Sequence, residues 1–112
     1  MDWTDRFHDV LNKMETAGQD YAQAKATSWQ MQELGPALKS SIMLEAMKDP
    51  KMSAQKAEAV ARASDGYKKH LEGTAVAIAE ELKLKAKYEN LHAKYEAYRS
   101  LISLEKKHGG MI

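Results

Sequence analysis

Lys48-Asp49-Pro50-Lys51-Met52-Ser53 is the stretch on which the fold turns. Asp-Pro favours a turn, and the residue before a proline is pushed out of helical geometry. Ser53 follows at the right distance to cap a new helix by accepting a backbone N–H bond. The main reversal is therefore placed at about 48–53. Both flanks read as helix, so the fold class is all-α. The expectation is a long antiparallel helical hairpin, coiled-coil-like, with arm one at about 3–48 and arm two at about 54–107. Residues 1–112 read as a single helical domain.

Upstream of the turn, apolar or small residues recur at alternating steps of three and four. They are Phe7, Val10, Met14, Ala17, Tyr21, Ala24, Ser28, Met31, Gly35, Leu38 and Ile42. This is a heptad-like seam. Many members are small, so a partner helix can approach closely. Gly18 weakens the helix by about 1 kcal/mol relative to alanine. Pro36 removes a backbone hydrogen bond and crowds the preceding turn, so the first arm is expected to be kinked or broken at Gly35-Pro36. The seam keeps its phase across that point. A true corner there, giving three helices, is the alternative.

Downstream, arm two has no proline and is rich in Ala, Glu, Lys and Leu, all strong helix formers. Its seam reads Ala57, Val60, Ser64, Tyr67, Leu71, Thr74 and Ile78. A phase slip near 78–84 follows, and the stripe resumes as Leu84, Tyr88, Leu91, Tyr95, Tyr98 and Ile102. Such a slip can mark a change of packing partner. Gly66 and Gly73 are possible weak points. Lys106, Lys107 and His108 suit a helix C-terminus, and Gly109-Gly110 is expected to stop it.

The composition bounds the function. The 112 residues include no cysteine, which rules out disulfides and Cys-based zinc sites and fits a reducing compartment. The opening Met1-Asp2-Trp3-Thr4-Asp5 lacks the apolar stretch of a signal peptide. No run approaches the roughly 18–20 apolar residues that span a bilayer. No membrane is expected, and the expected location is the cytoplasm, that of a bacterial host if the chain is phage-encoded. Net charge is +1, but its distribution is uneven. Residues 1–50 hold eight acids and five bases, and residues 51–112 hold eight acids and twelve bases. Complementary halves can help set hairpin pairing, although mixed solvated helix faces give the same count.

Chemistry is sparse. His8, His70, His92 and His108 form no HExxH motif. His92 and Glu96 share a helix face but lack a third ligand, so no metal and no cofactor is expected. Glu80 and Glu81 are adjacent and point apart, so they form no carboxylate dyad. GxxxxGK[ST], GxGxxG and GxSxG are absent, and no catalytic residue stands out; an enzyme is not expected.

The strongest local feature is Tyr88, Tyr95 and Tyr98 among Lys83, Lys85, Lys87, Lys94 and Arg99. Aromatic faces with cations suit single-stranded nucleic acid, because bases stack and phosphates pair. The competing reading puts the tyrosines in the hairpin interface, as their seam spacing suggests. Trp29 sits beside the first seam, either as a packing residue or as a partner anchor. With Met31, Leu38, Ile42, Met43 and Met47 it marks a candidate protein interface, and a homo-oligomer is expected.

The segment Tyr21-Ala22-Gln23-Ala24-Lys25, then Ala37-Leu38-Lys39-Ser40-Ser41-Ile42-Met43-Leu44-Glu45-Ala46, and finally Tyr95-Glu96-Ala97-Tyr98-Arg99-Ser100 resembles small helical proteins of bacteriophage recombination and early regions. More distantly it is similar to phage recombination mediators of the UvsY type. The resemblance covers roughly residues 20–104. It implies an oligomer that binds single-stranded DNA, a single-strand-binding protein or a recombinase. It carries over no functional residue. A phage-encoded inhibitor of a host enzyme or defence complex, and a self-assembling structural module, are the alternatives.

Overall fold

The computed structural model describes residues 3–109. All of its regular structure is helical: α1 (Trp3–Ala46), α2 (Ala54–Ala63) and α3 (Asp65–Gly109), with no strand among the described residues. The all-α hairpin is thus as expected. Met1, Asp2 and Gly110 lie outside the described residues, and Gly109 is still within α3. No helix among them is long and apolar enough to cross a membrane.

The reversal falls between Ala46 and Ala54, as Asp49-Pro50 indicates. The Asp49 side chain accepts from the Lys51 N–H at 3.0 Å, and the Met52 N–H closes back on the Asp49 carbonyl at 3.0 Å. Ser53 then caps α2, its hydroxyl oxygen accepting from the Lys56 N–H at 3.2 Å.

The second arm is not one helix. Ser64 takes extended geometry (φ −68°, ψ 143°) between α2 and α3. Its hydroxyl donates to the Ala61 carbonyl at 2.8 Å and accepts from the Tyr67 N–H at 3.2 Å. One side chain thus ties off α2 and caps α3, and Asp65 in the first turn of α3 suits the positive end of its dipole. The additional helix boundary falls here. At Pro36, where a break or corner was considered, α1 runs unbroken.

The chain forms two compact units, one of residues 3–23 with 82–109 and one of residues 24–81. In the first unit Trp3 meets Tyr98, Phe7 meets Tyr95 and Tyr21 meets Tyr88, with ring centroids 5.7, 5.1 and 6.3 Å apart. Numbers rise on α1 as they fall on α3, so the pairing is antiparallel. Gly18 sits beside this zipper: a Cβ there would stand 3.3 Å from the Tyr88 ring. The helix-weakening glycine makes room for the tyrosine.

In the second unit the helices pack through small residues. Full burial among the described residues is confined to Val10 and Ala17 in the first unit and Ser28, Gly35, Ala57 and Ala61 in the second. Ala57 and Ala61 lie one turn apart on α2. The first-arm seam is confirmed, because each of its eleven positions is buried or half-buried.

The second-arm seam needs correction. Val60 and Leu71 are exposed, and His70 is half-buried in place of Leu71. On α3 half-buried positions recur as Tyr67, His70, Thr74, Ala77 and Glu81 in one unit and Leu84, Tyr88, Leu91, Tyr95 and Tyr98 in the other. The steps are three and four throughout, so there is no phase slip near 78–84. Tyr67, Thr74 and Ile78 are half-buried as the seam required, so the error is confined to Val60 and Leu71, and Glu81 at a seam position looked like a gap.

α3 packs against α1 beside Pro36. The proline crowds the turn before it. His70 Nε2 lies 2.8 Å from the Met31 carbonyl in that turn. A carbonyl only accepts, so Nε2 carries the proton. Thr74 donates its hydroxyl to the His70 carbonyl at 2.8 Å, which fixes the neighbouring turn. The imidazole lies against Gly35, where a Cβ would be 3.4 Å from Nε2.

Glu58 of α2 ties the turn to α1. It accepts from Lys39 and from Arg62, each at 2.8 Å. The Lys39 hydrogen bond first, then that from Arg62, holds its carboxyl below the ordinary value of 4.5. A lowered folded pKa means the stabilisation is whole above the ordinary carboxylate range and fades as pH falls through the lowered value. Glu58→Gln is therefore expected to melt below the wild-type chain at neutral pH, with the gap closing under acid. Melting curves across that range check it. The gap is small because the pair is partly exposed and screened.

Candidate nucleic-acid interface

A groove with a volume of about 840 Å³ lies in the first unit. Asn12, Lys13 and Thr16 of α1 form one wall. Lys83, Lys87, Asn90 and Lys94 of α3 form the other, over a floor of Ala17, Ala86 and Leu91. Lys83, Lys87, Asn90 and Lys94 fall on one face because their spacings of four, three and four follow the helical repeat. No carboxylate lines the groove.

Lys13 pairs with Asp9 at 3.0 Å. Lys83, Lys87 and Lys94 make no ion pair with a described residue. Three ammonium groups thus stand over an apolar floor, next to two amides that can donate to anionic oxygens; the Thr16 hydroxyl donates to the Asn12 carbonyl at 3.4 Å. The arrangement can hold a chain of phosphates.

The structure divides the residues that the sequence grouped. Lys83, Lys87 and Lys94 come together in the groove. Lys85 is exposed and does not line it. Arg99 pairs with Glu96 at 3.7 Å and lines a separate recess of about 280 Å³ with His8 and Lys106. Tyr88, Tyr95 and Tyr98 turn toward α1 and pair with its aromatic rings, so they belong to the helix interface. The sequence did not single out Asn12, Asn90, Lys13 and Thr16. The 3.6-residue face that joins Asn90 to the lysines was the available signal; the α1 wall needed the hairpin register.

The candidate protein interface also divides. Met31, Leu38, Ile42 and Met43 are half-buried. Met31 is spent within its unit, its methyl lying 3.0 Å from where a Cβ on Gly73 would stand. Trp29 is 62% exposed and Met47 is also exposed, so these two remain available to a partner. His92 Nε2 lies 4.0 Å from Glu96 Oε1, and no group of three potential metal ligands converges among the described residues.

No protein-family model, curated protein or solved structure matches the chain.

Proposed function

We propose that this chain is a non-enzymatic accessory protein of single-stranded DNA metabolism, of the kind that phage recombination regions encode. The observation that carries the proposal is the groove lined by Lys83, Lys87 and Lys94, with no carboxylate in its lining. Cations over an open groove attract a polyphosphate chain and release its counterions on binding. The exposed Trp29, in the unit with exposed Leu34, Leu44, Leu71 and Val76, supports a protein partner as well. A single-strand-binding protein, a recombinase, a host enzyme or a further copy of the chain would each use such a surface.

Fluorescence anisotropy with a single-stranded oligonucleotide at stepped salt tests the DNA contact. Three lysines predict that log K falls with log salt at a slope of about −2, and that each Lys→Ala change at 83, 87 or 94 flattens it by about 0.7. No binding at low salt removes DNA contact and leaves protein binding as the function.

A further inference from the structure

We infer that the groove grips a single strand by its phosphodiester backbone alone and leaves the bases turned outward, free to pair. The inference rests on the DNA-binding reading above. It adds which part of the strand is recognised.

Two observations carry it. The first is where the aromatic rings are. The first unit holds six Trp, Phe and Tyr residues, and all six are used in three pairs across the helices: Trp3 with Tyr98, Phe7 with Tyr95, and Tyr21 with Tyr88. None of them lines the groove, whose floor is Ala17, Ala86 and Leu91. A strand lying there meets methyl groups and no π-face, so the stacking on which many single-strand binders rely is missing.

The second is where the cations are. Lys83 and Lys87 are one turn apart, about 6 Å along the axis, and Lys94 follows two turns on, about 10 Å further. Even in a stacked strand a phosphate recurs every 3.4 Å or so, so each lysine finds a charge without the strand having to be distorted. The amides of Asn12 and Asn90 suit phosphate oxygens, as such side chains commonly do. Every group the groove offers is thus matched to the backbone. A strand held in this way keeps its base edges exposed to a complementary strand.

The test compares three probes of equal length by anisotropy: an oligothymidylate, the same chain made of abasic deoxyribose phosphate, and polyglutamate. The abasic chain is expected to bind within about threefold of the oligothymidylate, with the same salt slope. Stacking contributes about fivefold to a hundredfold per base, so an abasic chain that binds more than tenfold weaker overturns the inference while the DNA-binding reading stands. Failure of both nucleic-acid probes overturns both. Polyglutamate binding as tightly as the oligothymidylate also overturns both and points to an acidic protein as the ligand. The variant K83A/K87A/K94A changes only exposed side chains and is expected to abolish binding of the abasic chain; persistent binding places the backbone grip elsewhere. Permanganate oxidation of thymine supplies a second readout, because stacked thymines are shielded. Undiminished reactivity in the complex is expected, and protection of the thymines overturns the inference.

Discussion

His70→Ala is expected to lower the melting temperature by roughly 10–20 °C, a large effect for a half-buried polar residue. The substitution removes an imidazole packed on the buried Gly35 and a 2.8 Å hydrogen bond to the Met31 carbonyl. Lost packing and a lost hydrogen bond together are worth about 2–3 kcal/mol. A double-mutant cycle with Gly35→Ala makes the test specific. Alanine in a helix interior gains about 1 kcal/mol over glycine. In the wild-type chain that gain is partly opposed, because the new Cβ would stand in contact with the ring, 3.4 Å from His70 Nε2, and the ring cannot withdraw without lengthening its bond to Met31. In the His70→Ala background no ring opposes it, so Gly35→Ala becomes more stabilising. Denaturant melts of the four chains measure the coupling, expected at about 1 kcal/mol. An equal Gly35→Ala increment in both backgrounds would show that His70 does not set the cost.

The same pair shows how far the fold was legible in the sequence. The Gly35-Pro36 dipeptide read as a kink or break because local chemistry is all that a sequence displays. The structure sets His70, 35 positions away from Gly35, against that turn, and tertiary partners of that kind leave no local mark. Asp49-Pro50-Lys51-Met52-Ser53 was legible because a turn and a cap are local events. Ser64-Asp65-Gly66 carried an equally local signal, a hydroxyl cap followed by an acid, but Ser64 also fitted the spacing of a small seam residue. Ser64 is itself half-buried, and of the seam positions read after it only Leu71 is exposed. The misreadings on α3 are therefore local: Leu71 was placed inside in place of His70, and the acid Glu81 at a seam position read as a slip. On the groove, Lys83, Lys87 and Lys94 were legible as a group because they lie on one helical face, whereas Lys85, grouped with them, lies off it. The tyrosines follow the interface reading that their seam spacing suggested. Tyr88, Tyr95 and Tyr98 lie within a few residues of those lysines, yet the helical turn carries them toward α1. Asn12 and Thr16 lie about 70 residues away and form the opposite wall.

That division of roles leads to the second large effect: Tyr95 should govern stability and leave strand affinity untouched. Its ring lies 5.1 Å from Phe7 and 6.1 Å from His92, inside the antiparallel zipper of the first unit. Tyr95→Ala removes the ring from both neighbours and is expected to cost about 2–4 kcal/mol. Tyr95→Phe keeps the ring, and the hydroxyl has no hydrogen-bond partner among the described residues, so that change is expected to fall within about 0.5 kcal/mol of wild type. Tyr95→Leu separates the two roles, because leucine keeps most of the buried carbon and has no π-face. It should lower stability by about 1–2 kcal/mol and leave the chain folded at ambient temperature. With a folded chain, oligothymidylate affinity and salt slope are expected to match wild type, since Lys83, Lys87 and Lys94 are all retained. A stacking role would act in the opposite way: losing one base platform weakens binding by about fivefold or more. If folded Tyr95→Leu shows such a loss, the ring meets the strand and the lysine groove is only part of the site.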